Sequence, residues 1–224
     1  MGRRATSPIP SHLVKQFYGV AWDAAIACRY THPVTGVDID FSSWPNMMTL
    51  RRHAIAVLWL TACAMRFSEL RRLRAADVST AGYSAYVLRS KGGKSGQVQV
   101  AKALVSTTFV WRSLDSRLFH SEWLIPSRTG GQLNNNAFNR DACGFFAELF
   151  TGVPLSSHCF RDTACQMAME QAGKVRVVQK LMGHRRATTT EGYIAKSVAD
   201  NIQLRLFEPE YGETGDSTTS EVLA

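Results

Sequence analysis

HCFRDTACQMAMEQAGKVRVVQKLMGHRRATTTEGY, residues 158 to 193, opens on His158-x-x-Arg161, later carries Gly183-His184, and reaches Tyr193 nine residues beyond that histidine. Its chemistry-bearing side chains are two imidazoles, a guanidinium and a phenol. A guanidinium grips phosphate oxygens through two parallel charge-assisted hydrogen bonds. Imidazoles exchange protons near neutral pH, and a phenol attacks as a nucleophile once activated. Together these groups suit the breaking of a phosphodiester without a metal. The local pattern predicts a helix from about His158, capped by Ser156 or Ser157 and ended by Gly173. A short helix from Lys174 to Met182 follows. Thr188-x-x-Glu191 then matches a capping box, which puts Tyr193 in the first turns of a further helix.

Outward from this stretch, charge narrows the partner. The 224 residues carry a net charge of +8. Residues 208–224 hold Glu208, Glu210, Glu213, Asp216 and Glu221 with no base, so the body before them carries 26 bases against 13 acids. Arginine outnumbers lysine by 19 to 7, which suits planar grip on phosphate. A basic body points to nucleic acid ahead of an anionic membrane surface. The five cysteines are an odd number with no Cys-x-x-Cys pair. That argues against a disulfide framework or a zinc ribbon and for reduced thiols in a cytosol. The run AIAVLWLTACAM (54–65) is shorter than the about 20 residues that span a bilayer and reads as a buried helix. No signal peptide is expected, because GRRATSPIPS is not followed by an apolar run.

The length allows one domain with a small appendage and a proper core. Residues 1–10 read as loose, and His12 to Tyr30 as an amphipathic helix. Pro33, Gly36 and Pro45 break the next stretch into a loop. A second helix, Met48 to Ala64, is apolar nearly all round and therefore central. Ser68 is the candidate N-cap of a short helix ending near Arg74. Residues 83–89 and 97–100 read as strands, joined through Gly92, Gly93 and Gly96 as a hairpin. Helices are expected over Lys102–Leu118, Asn134–Phe150 and Ala195–Phe207, before a polar acidic tail. The fold class is mainly α with a small antiparallel β-sheet. Tyr18, Tyr30, Tyr83 and Tyr86 read as core or strand residues. His12, His32, His53 and His120 carry no assigned chemistry. Arg71, Arg72 and Arg74 read as a solvated face before a DNA contact.

Five motifs then line up in order. CAMRFSELRRLRAADV (63–78) resembles the Thr-Gly-Leu-Arg-x-Ser-Glu-Leu-x-x-Leu-x-x-x-Asp-Ile box of the tyrosine recombinases, the phage integrase family. Lys91-Gly-Gly-Lys94 resembles the family's lysine hairpin. LSSHCFRDT (155–163), LMGH (181–184) and Thr188 to Tyr193 resemble its second, third and nucleophile boxes. Met65 stands where Leu is usual, and Asp162 where His is frequent. Only about 45 residues precede the catalytic fold, where family members usually carry a DNA-clamping domain; this short layout resembles the fimbrial-type DNA invertases.

The resemblance implies a catalytic domain over 46–207, with a short, partly helical segment over 1–45 and a disordered tail over 208–224. It implies a site-specific DNA recombinase that cleaves and rejoins strands through a covalent 3′-phosphotyrosyl bond. Tyr193 is then the nucleophile, and Arg66 and Arg161 bracket the non-bridging oxygens. Lys91 protonates the departing 5′ oxygen, with Lys94 its rival. His158 assists proton removal from Tyr193, and His184 hydrogen-bonds the phosphate. Arg89, Lys94, Arg185 and Arg186 are candidate phosphate contacts. Neither a metal nor a nucleotide cofactor is implied. The partners implied are double-stranded DNA, three further copies in a tetramer on DNA, and accessory DNA-bending proteins, in the cytoplasm at the nucleoid. Two alternatives stay open: a catalytically idle DNA-binding regulator of the same fold, and a type IB topoisomerase.

Overall fold

The computed structural model describes residues 8–26, 29–31, 38–40, 47–90, 94–149, 155–172, 178 and 181–182. Seven helices appear among them: α1 (Ser11–Ile26), α2 (Met47–Ala62), α3 (Phe67–Leu70), α4 (Lys102–Ser113), α5 (Ser116–Phe119), α6 (Asn135–Leu149) and α7 (Ser157–Ala172). Five short strands accompany them: β1 (Arg29–Thr31), β2 (Asp38–Asp40), β3 (Val78–Ser79), β4 (Ser84–Val87) and β5 (Gly96–Gln99). The strands form an antiparallel β3-β4-β5 sheet and a separate β1-β2 pair. The fold is mainly helical with a small antiparallel sheet.

The central helix is the one that its composition marks. Every residue from Ala54 to Met65 is buried, and α1, α3, α4, α6 and α7 all pack on α2. Apolar burial of this kind contributes about 1.5–3 kcal/mol per large side chain relative to exposure. Two polar pairs inside join helices: Trp59 Nε1 donates to Thr108 Oγ1 at 2.8 Å, and Tyr18 Oη and Thr61 Oγ1 lie 2.6 Å apart. Phe17 on α1 stacks at 4.7 Å on Phe146 of α6 and at 5.9 Å on Phe160 of α7. The first helix therefore shares a core with the helix that carries Arg161.

Several boundaries move, each for a local reason. α1 stops at Ile26 rather than Tyr30, because Arg51 reaches back and donates to the carbonyls of Ala25 and Ile26. Arg29–Thr31 pairs instead with Asp38–Asp40, inside a stretch that reads as loop; strands of three residues are too short to carry a period-two signal. Ile9 is buried, its N–H donating to Thr163 Oγ1 at 2.8 Å, so residues 8–10 are tied to α7 rather than loose. The helix expected over 102–118 breaks after Ser113, where Asp115 Oδ1 accepts the Arg117 N–H at 2.8 Å and starts α5. In β4, Ala85 and Val87 lie inside and Tyr86 is 46% exposed, so Tyr86 is a strand residue with its side chain at the surface. His53 belongs to the core. Burial, and secondarily Arg52, pushes its pKa down to about 4, and it packs edge-on against Phe138 at 5.7 Å. Among the described residues no helix is long and apolar enough to cross a membrane.

Candidate active site

α2 ends in a turn at Ala64, whose φ of 46° lies in the left-handed region that glycine ordinarily fills. Two residues later Arg66 begins α3 as its N-cap; Ser68, the expected cap, sits exposed inside the helix. The cap is completed by a carboxylate three residues on. Glu69 Oε2 accepts the Arg66 N–H at 3.0 Å, and Glu69 Oε1 accepts Arg66 Nη1 at 2.9 Å.

Glu69 does more than close that turn. Its side chain is fully buried and gathers four other groups. Ser90 donates to Oε1 through both its N–H and its hydroxyl at 3.0 Å, which fixes the residue just before Lys91. Arg89 Nη1 meets Oε2 at 3.1 Å, and Arg161 Nη1 lies 3.6 Å from the same oxygen. Arg161, 5% exposed, also donates to the carbonyls of Ala64 and Met182. Arg66, at position 66, and Arg161, at position 161, thus converge on one carboxylate. Three guanidinium groups against one carboxylate leave the cluster positive, as a site for a phosphate requires. Arg66 keeps 27% of its side chain exposed and is the guanidinium open to a ligand from solvent.

Electrostatics follow from this crowding. Burial alone would raise the Glu69 pKa. The Arg66 and Ser90 N–H groups, the Arg66 guanidinium and the charge of Arg89 outweigh it and hold the pKa down near 2. Burial, reinforced by Arg66 and Arg89, lowers that of Arg161 to about 10, so it stays charged at neutral pH. Glu69 therefore contributes stability that is fully present above its ordinary value of 4.5 and is lost as the pH falls toward 2. The expected loss is about 3 kcal/mol across that window, read by urea denaturation. The Glu69→Gln variant should show no such loss from this group and should be destabilised at pH 7 by about 3–5 kcal/mol, because uncompensated buried cations remain. A variant as stable as the wild type at pH 7 would refute this role.

His158 is the second residue of α7 and is exposed; the spacing of three puts it on the same side of the helix as Arg161. Lys94 is exposed. Arg89, expected at the DNA surface, is corrected: its side chain is 2% exposed, and its guanidinium is taken up by Glu69 and by the carbonyls of Cys63, Ala64 and Leu181. Arg71 donates twice to Gln132 Oε1, at 3.2 and 2.9 Å, and Arg74 lies over the Trp123 ring at 5.7 Å. Both arginines brace the 121–133 loop. Lys91, His184, Arg185, Arg186 and Tyr193 lie outside the described residues, as do the helices expected over 188–207 and the tail over 208–224. Glu69 and Ser90 had no assigned role in the sequence. The Arg66-x-x-Glu69 spacing was the available signal, since an acid at that distance can reach back to a cap.

The phage integrase family model matches residues 45–199. Tyrosine recombinase XerD of Rhizobium meliloti is 31% identical over 150 residues, covering 66% of this chain and 48% of that protein. The chain thus spans about half the length of the curated relatives it matches. Among solved structures, XerA recombinase superposes with a TM-score of 0.58 at 16% identity, over 83% of this chain and 58% of the other. A lambda integrase tetramer bound to a Holliday junction gives 0.51 at 16% identity, over 85% and 50%. The fold is that of a tyrosine recombinase catalytic domain, and the chain belongs to the phage integrase family.

Proposed function

We propose that this chain cleaves and rejoins double-stranded DNA at specific sites through a covalent 3′-phosphotyrosyl intermediate, as the catalytic part of a site-specific recombinase. The observation that carries the reading is the convergence of Arg66 and Arg161 on Glu69 beside the start of the Lys91 hairpin. Arg66, the more exposed of the two, supports a contact with a phosphate from solvent, and Arg161 behind it adds positive charge to the same site. Their charge would oppose the negative charge that builds on the phosphate oxygens in the transition state.

In this reading Tyr193 attacks the phosphorus, with His158 assisting removal of its proton. The P–O5′ bond breaks, a P–O bond to tyrosine forms, and Lys91 or Lys94 delivers the proton to the leaving oxygen. His184 hydrogen-bonds the phosphate. The ester is exchanged rather than spent, so rejoining is the same step run backwards by another 5′ hydroxyl. Residues 46–207 form the catalytic unit. The working assembly is a tetramer on two duplexes, consistent with the tetramer seen for lambda integrase. Lys94, Arg185 and Arg186 contact phosphates, and the reaction takes place where the cell's DNA lies, in the cytoplasm.

The test is to incubate the chain with fragmented genomic DNA and denature. Protein that migrates with attached DNA is expected, and sequencing the attached ends identifies the site. The same adduct formed with relaxation of supercoils by dilute protein would point to a topoisomerase. Binding without adduct would point to a regulator.

A further inference from the structure

Ser156 stands at the N-cap position of α7, yet its buried Oγ hydrogen-bonds nothing. The start of the helix is satisfied from elsewhere. Asn139 of α6 accepts the Ser157 N–H on its Oδ1 at 3.2 Å, across 18 residues of sequence. That N–H is one of the donors a helix start leaves unpaired, and the N-cap side chain does not reach it, since that oxygen accepts from the second or third helical N–H. Here the cap comes from a second helix. Phe138, Ala142 and Phe146 hold α6 in the core on the face that Asn139 borders, so α6 cannot turn without moving the cap.

The direction of the hydrogen bonds is fixed by chemistry. A backbone N–H only donates, so Asn139 must turn its oxygen to Ser157 and its nitrogen away. That nitrogen donates to Asn135 Oδ1 at 3.2 Å, one turn earlier on α6. Asn135 is exposed, and with its oxygen engaged its amide nitrogen is the group left to donate. Phosphate oxygens and base-edge acceptors are the groups such a donor meets on DNA.

We propose that Asn139 is a positioning residue that fixes the start of α7, and with it His158 and Arg161, and ties that start to Asn135, whose amide nitrogen donates to an acceptor on DNA. The assignment rests on the DNA-cleaving reading above, but its first half can be measured without DNA. Amide exchange on the full chain reads the Ser157 N–H directly. In the Asn139→Ala variant its protection should fall about tenfold, while α2 amides stay as protected as in the wild type. Asn139→Asp should restore it, since a carboxylate accepts well at a helix start. Asn135→Ala should leave it unchanged.

With the duplex captured by the wild type, nicked to trap the adduct, Asn139→Ala should slow single-turnover adduct formation about tenfold, with affinity held within about twofold. The Asp variant should recover the rate. Asn135→Ala should instead weaken DNA binding about threefold to tenfold. Undiminished protection of Ser157 in Asn139→Ala, or lost protection with an unchanged rate, overturns the positioning role; unchanged affinity in Asn135→Ala overturns the DNA contact. If the wild type forms no adduct at all, the cleavage reading fails, and amide exchange alone decides whether Asn139 holds α7.

Discussion

The Tyr193→Phe variant should bind DNA as tightly as the wild type and form no covalent adduct. Phenylalanine keeps the ring and its packing but lacks the one atom that can bond to phosphorus. The expected effect is total for the adduct and nearly nil for affinity, a contrast that loss of folding cannot mimic. Two of the described tyrosines make poor substitutes. Tyr18 is wholly buried, its hydroxyl engaged with Thr61, and burial pushes its pKa far up. Tyr83 is half-buried under Lys102 at 5.9 Å. Tyr86, exposed on the outer face of β4, is the proper control, and its change to Phe should leave the adduct intact. An adduct that survives in Tyr193→Phe would move the nucleophile elsewhere.

On the proposed function, removing Arg66 or Arg161 should slow cleavage by about 100-fold to 1,000-fold, the usual effect of losing one preorganised donor to a developing anion. The two variants differ in what else they disturb. Arg66→Ala removes a partly exposed guanidinium while Glu69 retains Arg89, Arg161 and Ser90, so stability should change little. Arg161→Ala also strips the hydrogen bond from the Met182 carbonyl, costing about 1–3 kcal/mol if left unpaired, while the Ala64 carbonyl keeps Arg89. Adduct formation and urea denaturation measured together separate these effects. Unchanged cleavage in a folded variant takes that arginine out of the mechanism.

Much of the site was legible because its motifs are local. Arg66, His158 and Arg161 stand out by spacing, and the all-apolar run after Arg52 marks the central helix. Arg89 misled because a basic residue beside a hairpin looks solvated in sequence. Only the fold brings it against Glu69 and three carbonyls, a surrounding that consumes a guanidinium completely. Glu69 was hidden for the converse reason: beyond Arg66 at capping distance, its partners come from positions 89, 90 and 161, and no spacing rule joins those. Asn139 escaped notice likewise, since the adjacent serines already offered a sufficient cap.

The sequence by itself determined the family, the helical class with its small hairpin, and which side chains carry charge, because these depend on residue type and short-range order. The tertiary structure alone decided which charges are spent internally and which remain for a ligand. That outcome depends on burial and on partners distant along the chain, and both arise only once α2, α6 and α7 have packed.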